Sequence, residues 1–212
     1  NYSTSILLSS SMLVDSDPVQ IKDKVQELGQ VIYRKSKLID QLINNILTSS
    51  KFELNQLLLH KRKILISDYV SNFYQDFLTE NHSLNRVLSI SIADNLGEFS
   101  VDESKLNEVL TNLFSNAVKY SGEGDKIALE MKLHEENQLK VSVYNTGKGL
   151  AKEHLQAIFE KFMRVQQGDG AGSGLGLAIC KEIISAHGGI IWAQSELGSW
   201  TTISFILPRA KI

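Results

Sequence analysis

A heptad repeat of apolar residues begins at Ile21 and continues for about thirty residues, and no other feature constrains the fold of the chain as strongly. The a and d positions of this repeat are Ile21, Val25, Leu28, Ile32, Lys35, Ile39, Leu42, Ile46 and Ser49. Seven of these nine positions are apolar, and their spacing alternates between four and three residues. This spacing predicts a long helix that packs in a bundle, with a helix lying along a globular domain as the alternative.

A shorter helix is predicted before the repeat, over residues 1 to about 14. Asp17 and Pro18 then suit a turn into the next helix, because Asp can cap its first N–H groups and Pro lacks an N–H that would be unpaired there. One helical hairpin buries little apolar surface, whereas two hairpins together form a four-helix bundle. We therefore expect a dimerisation hairpin over residues 1–55.

The composition excludes several classes of protein. Lys and Arg number 22 against 24 Asp and Glu, and a net charge of −2 argues against a nucleic-acid partner bound through its phosphates. Cys180 is the only cysteine, so the chain cannot form an internal disulfide. No apolar run approaches the roughly 18 residues of a membrane span. We expect a cytoplasmic location, with a membrane reached only through segments upstream of Asn1.

The second region, residues 60–212, mixes helical and alternating apolar patterns and holds nearly all of the glycine. These patterns predict an α+β fold in which helices cover one face of a sheet. The predicted strands are 87–93, 126–133, 139–145, 190–195 and 201–207, and the predicted helices are 102–120, 153–161 and 175–187.

A polar stripe follows one side of the predicted helix 102–120. Its members, spaced three or four residues apart, are Lys105, Glu108, Asn112, Asn116 and Lys119. A solvated helix face explains such a stripe in many proteins. Asparagine is a poor helix former, however, and its carbonyl oxygen can bind Mg²⁺, which also takes phosphate oxygens and water as ligands. The stripe therefore favours a functional site.

Two glycine-rich segments could approach a ligand closely. The segment 145–149 follows a predicted strand, and the segment 168–177 leads into a predicted helix. Free backbone N–H groups and a helix N-terminus form a cradle for phosphate, whereas an ordinary turn and a flexible linker are the alternatives. Neither segment contains the Gly-x-x-x-x-Gly-Lys-Ser/Thr phosphate loop.

Taken in order, these segments resemble the sequence boxes of sensor histidine kinases of two-component systems, which belong with the ATPases that include gyrase B, Hsp90 and MutL. The N box corresponds to residues 112–121, the G1 box to 145–150, the F box to 158–164 and the G2 box to 172–179. Residues 38–47 and 50–53 are similar to the second helix of the dimerisation domain. The resemblance implies a Bergerat-type ATP-binding α/β sandwich over residues 60–212.

The resemblance also implies roles for individual residues, with ATP and Mg²⁺ as cofactors. Asn116 is expected to bind Mg²⁺, Lys119 and Arg164 to contact phosphate, and Asn112 to complete the catalytic set. The cofactor-binding residues that it implies are Asn116, Tyr120, Asn145, Gly147, Gly149, Phe159, Gly172, Ser173, Gly174, Leu175, Gly176 and Leu177. Gly172, Gly174 and Gly176 are expected to form the hinge of a lid over the phosphates.

The implied activity is autophosphorylation on histidine, followed by transfer to an aspartate of a response-regulator receiver domain, by a homodimer held through the hairpin. Related ATPases have a glutamate that activates water one turn before the magnesium-binding asparagine. Asn112 stands there instead, and an amide cannot act as a base. The site therefore suits ATP that is held for transfer rather than hydrolysed.

The chain departs from the family pattern at the phosphate acceptor. None of its histidines, which are His60, His82, His134, His154 and His187, stands in the sequence context of the acceptor. We expect the acceptor to lie a few residues before Asn1, because residues 4–7 resemble the stretch just after it. The alternatives are a nucleotide-binding pseudokinase that acts as a dimeric scaffold, and an anti-sigma-type serine kinase, a group that lacks the hairpin.

Two further departures concern Asn145 and Trp200. Family members most often have aspartate in the place of Asn145, where it accepts a hydrogen bond from the adenine amine. An amide weakens that bond by about 1 kcal/mol and can also donate, so we expect weaker ATP binding and reduced discrimination against GTP. Trp200 stands where a second glycine is usual, and the sequence assigns it no role.

Overall fold

The structure is a computed structural model of the 212-residue chain. It describes residues 2–15, 25, 28–33, 35–36, 39, 43, 58–80, 87–94, 96–135, 138–165 and 173–209. The chain divides into two compact units, Asn1–Lys51 and Phe52–Ile212.

The first unit is helical wherever it is described. Helix α1 spans Tyr2–Asp15, close to the predicted helix. The heptad positions 25, 28, 32, 35 and 39 are all helical, while positions 21, 42, 46 and 49 lie outside the described residues. Among the described residues of this unit, Leu7, Leu8 and Val25 are apolar side chains that are exposed. Dimerisation through a hairpin stays a prediction.

The second unit contains seven strands and four helices in its described part. The strands are β1 (Arg62–Leu65), β2 (Val87–Ile92), β3 (Glu98–Val101), β4 (Lys126–His134), β5 (Gln138–Thr146), β6 (Ile190–Glu196) and β7 (Trp200–Leu207). The helices are α2 (Ile66–Glu80), α3 (Glu103–Tyr120), α4 (His154–Ala157) and α5 (Gly176–Ala186). None of the helices in the described residues is long and apolar enough for a membrane span.

A mixed sheet of five strands, in the order β2-β4-β5-β7-β6, forms the centre of this unit. Strand β2 runs parallel to β4, and the other neighbours are antiparallel. Strands β1 and β3 form a separate antiparallel pair. The α+β architecture predicted for this region is therefore confirmed.

The core lies between the sheet and helices α3 and α5. Alternate side chains of β4 and β5 face it, because successive side chains of a strand point to opposite sides. On α3 the buried apolar side chains are Leu106, Val109, Leu110, Leu113, Phe114 and Ala117, which are no more than 3% exposed. Burial of a large apolar side chain stabilises a fold by about 1.5–3 kcal/mol, so this face fixes the rotation of α3 about its axis. The polar stripe of α3 therefore lies to one side of this buried face.

The structure differs from the sequence prediction in three places. The helix predicted over 153–161 is the single turn α4, because the chain turns after Ile158 and Phe162 adopts a positive φ of 65°. Helix α2 and the strand pair β1–β3 were not predicted. The apolar period of α2 at Ile66, Tyr69, Val70, Phe73 and Phe77 carried a signal for that helix.

Candidate functional site

Helix α3 carries the polar stripe, and its ends are well defined. The carboxylate of Asp102 caps the N-terminus by accepting from the N–H of Lys105 at 3.1 Å. Within the stripe Asn112 is buried, Asn116 is half-buried and Lys119 is exposed. The ammonium of Lys119 lies 5.0 Å from the ring centre of Tyr120, the last residue of the helix. The C-terminal part of the stripe therefore runs from the buried amide of Asn112 to the exposed ammonium of Lys119.

The turn after β5 packs against the C-terminus of α3. Gly147 has a φ of 139°, and a Cβ there would collide with the carbonyl oxygen of Tyr120. The N–H of Gly147 donates to the carbonyl of Ser199 at 3.0 Å. Only glycine fits this position, because both the backbone angle and the space exclude a side chain. The close approach that the sequence predicted at Gly147 is therefore made to protein backbone.

Gly149 makes a second close approach, to the turn between β6 and β7. Its φ is 61°, and a Cβ there would collide with the carbonyl oxygen of Glu196. The N–H of Gly198 donates to the carbonyl of Lys148 at 2.8 Å, and the N–H of Leu150 donates to the hydroxyl of Ser195 at 2.8 Å. The segment 147–150 is consequently held between α3 and the β6–β7 turn.

Asn145 lies at the end of β5 with only 7% of its surface exposed. Its Nδ2 donates to the carbonyl of Thr146 at 2.9 Å, and the Ser121 hydroxyl donates to the same carbonyl at 2.9 Å. The contact with Thr146 fixes the orientation of the Asn145 amide. A flipped amide would place Oδ1 against the Thr146 carbonyl oxygen, and both of these oxygens are acceptors. Its Oδ1 accepts no hydrogen bond from the described residues. The side chain therefore has an acceptor left for a ligand.

The N-terminus of α5 meets the middle of α3. A Cβ on Gly176 would lie 3.2 Å from Oδ1 of Asn112, so the absence of a side chain brings the two helices together. The first N–H groups of a helix have no partners within it and attract anions. Leu175 is buried just before this end, and Leu177 is half-buried within the first turn. Asn112 and Gly176 thus form one edge of the candidate phosphate site.

A backbone hydrogen bond joins Phe162 to Gly174, the residues on either side of the segment 163–173. Phe162 donates its N–H to the carbonyl of Gly174 at 2.9 Å, and both residues have a positive φ. A Cβ on Gly174 would lie 2.8 Å from the carbonyl carbon of Phe162. The Ser173 hydroxyl accepts from the N–H of Leu175 at 3.2 Å. Gly172 lies outside the described residues, so the lid hinge stays a prediction there.

The segment before this junction is anchored on α5. Phe159 is 6% exposed and belongs to the hydrophobic core, whereas Arg164 is exposed. Lys161 pairs with the buried Glu182 at 3.2 Å, and Glu160 pairs with Lys181 at 3.3 Å. Phe159 therefore anchors the segment that follows α4 in the hydrophobic core.

Sequence reasoning missed a buried connection between α3 and α5, made by Asp102 and His187. The backbone N–H of Asp102 donates to Nε2 of His187 at 3.0 Å, and Nδ1 of His187 lies 2.9 Å from the carbonyl of Ile183. Nδ1 therefore carries the proton. Burial lowers the pKa of His187. Burial also acts to raise the pKa of Asp102, but the N–H groups of His60 and Lys105 outweigh it and the pKa is lowered.

The described residues contain no group of three or more His, Cys, Asp or Glu side chains that could hold a metal ion. A magnesium ion here would depend on the oxygen of Asn116 together with ligand phosphates and water, a donor set that suits this hard cation. The described residues therefore offer no protein cage for a metal alone, and a magnesium ion here would need the oxygens of a bound polyphosphate.

Comparison with known proteins gives consistent matches. Residues 101–211 match the family described as histidine kinase-, DNA gyrase B-, and HSP90-like ATPase. The sensor histidine kinase WalK of Bacillus subtilis (strain 168) is 34% identical over 192 residues, which cover 88% of this chain and 31% of WalK. The chain thus spans about a third of that relative.

Two solved structures share the fold. Full-length ShkA in complex with AMPPNP aligns with 98% of this chain and 43% of its own, at a TM-score of 0.77 and 22% identity. Histidine kinase ThkA in complex with the response regulator protein TrrA aligns with 99% of this chain and 59% of its own, at a TM-score of 0.70 and 20% identity. At these identities the likeness concerns the fold alone.

Proposed function

The chain belongs to the family of histidine kinase-, DNA gyrase B- and HSP90-like ATPases, and on this basis we propose that it is the kinase core of a sensor histidine kinase. In this role it binds ATP with Mg²⁺ and supplies the γ-phosphoryl group for a histidine. The phosphoryl group then passes to an aspartate of a response regulator. The relatedness to WalK supports the kinase activity, and the complex of ThkA with TrrA supports the partner.

One observation carries the proposal: the N-terminus of α5 meets Asn112 of the polar stripe, and the turn after β5 packs on Tyr120 at the C-terminal end of the same helix. In this arrangement the oxygen of Asn116 would hold Mg²⁺ together with a bound polyphosphate, and the N–H groups that begin α5 would receive a phosphate. Lys119 and Arg164 supply charge-assisted hydrogen bonds, and Tyr120 borders the nucleotide. The magnesium ion neutralises phosphate charge when it is bound.

Asn112 makes the site suited to phosphoryl transfer rather than to hydrolysis of ATP. Its amide lies beside Gly176 at the start of α5, close to where a phosphate would sit. An amide cannot remove a proton from water, so hydrolysis receives no general base at this position. Transfer to a histidine depends mainly on in-line positioning and charge neutralisation, which the site supplies.

The histidine acceptor is proposed to come from outside this sequence, because none of its five histidines has the context of the acceptor. The first unit is proposed to dimerise, since its exposed apolar side chains Leu7, Leu8 and Val25 could be covered by a second copy. The second candidate function is a pseudokinase scaffold, which Asn145 and the missing acceptor favour.

Calorimetric titration with ATP tests the nucleotide site. We expect binding that weakens about tenfold or more when magnesium is chelated or when Asn116 is changed to Ala, because the metal loses its protein ligand. Asn107→Ala removes an asparagine from another side of the same helix and controls for changes in α3. Equal affinities in wild type, Asn116→Ala and Asn107→Ala would contradict the assignment.

Phosphoryl transfer distinguishes the kinase from the scaffold. The longer protein that contains the preceding segment should acquire an acid-labile phosphoryl group from ATP and pass it to a receiver domain. ATP binding without any labelling of the longer protein would favour the pseudokinase.

A further inference from the structure

A cavity of about 510 Å³ lies between helices α2 and α3, and the proposed function makes no use of it. Its lining residues are Tyr69, Asn72, Phe73, Asp76, Phe77, Glu103, Asn107, Thr111, Ser115, Val118 and Lys119. Those on α3 mostly recur every four residues, so they form one flank of that helix. The stripe with Asn112 and Asn116 lies on another flank, and Lys119 is its only member that also lines the cavity. The cavity is thus separate from the proposed nucleotide site.

Aromatic rings provide the apolar wall of the cavity. Phe73 and Phe77 lie with their ring centres 6.4 Å apart and nearly parallel. Behind them Phe114 supports both rings, at 5.6 Å from Phe73 and 4.8 Å from Phe77. Rings held at such spacings form a rigid surface that another aromatic ring can stack on.

The opposite wall is polar. Asn107, Thr111 and Ser115 on α3 line it with exposed side chains, so the cavity is open to solvent along this side. These short polar side chains leave space instead of filling it. The space is large enough for a small organic ligand, since such sites measure about 300–1,000 Å³.

Several polar groups around the cavity are already paired, and others are not. Tyr69 donates to Asn107 at 2.7 Å, Ser115 donates to the carbonyl of Asn112 at 3.0 Å, and Glu103 pairs with Arg62. In the described part of the chain, Asn72, Asp76 and Thr111 make no side-chain hydrogen bond or ion pair. Asp76 is therefore a carboxylate with no cation of its own, next to two stacked rings.

We propose that this cavity binds a small planar aromatic amine, with its ring on Phe73 and Phe77 and its ammonium on Asp76. The aromatic wall selects a flat ring, and the uncompensated carboxylate selects a positive charge. The hydroxyl of Thr111 and the amide of Asn72 offer further hydrogen bonds. An anionic ligand is disfavoured next to Asp76, because this carboxylate has no ion pair among the described residues and would repel a second negative charge.

Tryptamine is a suitable probe, and indole-3-propionate is its control with the opposite charge. Titration of the full 212-residue chain, followed by two-dimensional NMR, should give saturable shifts for tryptamine at the amides of Asn72, Thr111 and Ser115. Indole-3-propionate should produce no saturable shifts. Asp76→Asn should weaken tryptamine binding about tenfold, because it removes the charge that faces the ammonium. Asp68→Asn, on the same helix but outside the cavity, should leave the affinity unchanged.

A second variant keeps the test independent of charge. Thr111→Phe should fill the cavity and abolish tryptamine binding, with the temperature of unfolding confirming that the variant is folded. The proposal is overturned if tryptamine shows no saturation up to about 10 mM, which corresponds to a very weak affinity. It is also overturned if indole-3-propionate binds equally well, if Asp76→Asn and Asp68→Asn behave alike, or if the shifts centre on Asn116 and Asn145.

Discussion

At the scale of one residue, Gly147 explains why the turn after β5 needs a glycine at this position. Its positive φ and its contact with the Tyr120 carbonyl both exclude a side chain. We expect Gly147→Ala to lower the free energy of unfolding by about 3 kcal/mol or more, because it adds a backbone collision to the strain. Denaturant unfolding measures this change.

Gly124 provides the matched control for that prediction. It also has a positive φ, of 78°, but no atom lies near the position of a Cβ. Gly124→Ala should therefore show the strain alone, about 1–2 kcal/mol. Equal losses at the two glycines would mean that the contact with Tyr120 is absent.

Asn145 is the residue proposed to recognise the base, and the orientation of its amide changes the expectation drawn from the sequence. Tolerance of GTP would need an amide donor turned toward the base, but Nδ2 donates to Thr146 and leaves Oδ1 as the acceptor. We now expect a preference for ATP over GTP in the wild type. Asn145→Asp should strengthen ATP binding about fivefold, because the acceptor gains a charge.

Calorimetry with both nucleotides checks this prediction. Asn137→Asp makes the same chemical change at a position that lies between β4 and β5 in the sequence, and serves as the control. GTP affinity equal to that of ATP in the wild type would show that the amide donor faces the base after all.

His187 predicts how stability depends on pH. Its neutral form donates through Nδ1 to Ile183 and accepts at Nε2 from Asp102, so a second ring proton would leave the Asp102 N–H facing another donor. Burial lowers the pKa of His187 below its ordinary value of 6.5, with Lys61 adding to the effect and Asp102 opposing it. The stability that this residue contributes is therefore complete above pH 6.5 and decreases as the pH falls below it.

Unfolding measured between about pH 7.5 and pH 5 tests this prediction. His187→Gln should reduce the pH dependence in that window. Asp102 acts in a separate window, because its pKa is lowered and its contribution is lost only as the pH falls below about 4. An unaltered pH profile in His187→Gln would contradict the role of the neutral imidazole.

At the scale of elements, two neighbouring ion pairs join α5 to the segment that follows α4, and they differ in burial. The Glu182 side chain is 9% exposed and its Oε2 has no hydrogen bond in the described part, while Glu160 is 69% exposed. Removal of the partner of a buried charge is far more damaging than loss of an exposed pair. Lys161→Met should therefore cost about 1–3 kcal/mol of unfolding free energy.

Lys181→Met is the matched control, because it breaks the exposed pair on the same helix. It should change stability by less than about 0.5 kcal/mol. If both variants lose the same stability, Glu182 is hydrated and the anchoring of the segment on α5 does not depend on its burial.

Elements in which apolar residues recur regularly over many positions could be predicted from the sequence, whereas short elements without such a pattern could not. Helix α3 and the hairpin β4–β5 follow from regular spacing of buried residues, and their bounds agree with the structure within two residues. Strands β1 and β3 have only four residues each and pair across more than thirty positions, so no local pattern defines them. Helix α2 had an amphipathic pattern that the sequence interpretation overlooked.

The same limit applies to the candidate site at the scale of the whole molecule. Residue types and spacing indicated Asn112, Asn116 and the glycines, because their chemistry is unusual for a helix or a strand end. The amide orientation of Asn145, the contact of Gly176 with Asn112 and the link from Asp102 to His187 depend on distant segments meeting. Such contacts follow from the packing of the molecule and leave no pattern in neighbouring residues.

A crystal structure of the chain grown with Mg²⁺ and a non-hydrolysable ATP analogue would show whether the nucleotide occupies the candidate site. We expect a metal ion on the oxygen of Asn116, phosphates at the N-terminus of α5, and the adenine amine at Oδ1 of Asn145. A nucleotide bound elsewhere, or side chains filling this space at saturating nucleotide, would contradict the account.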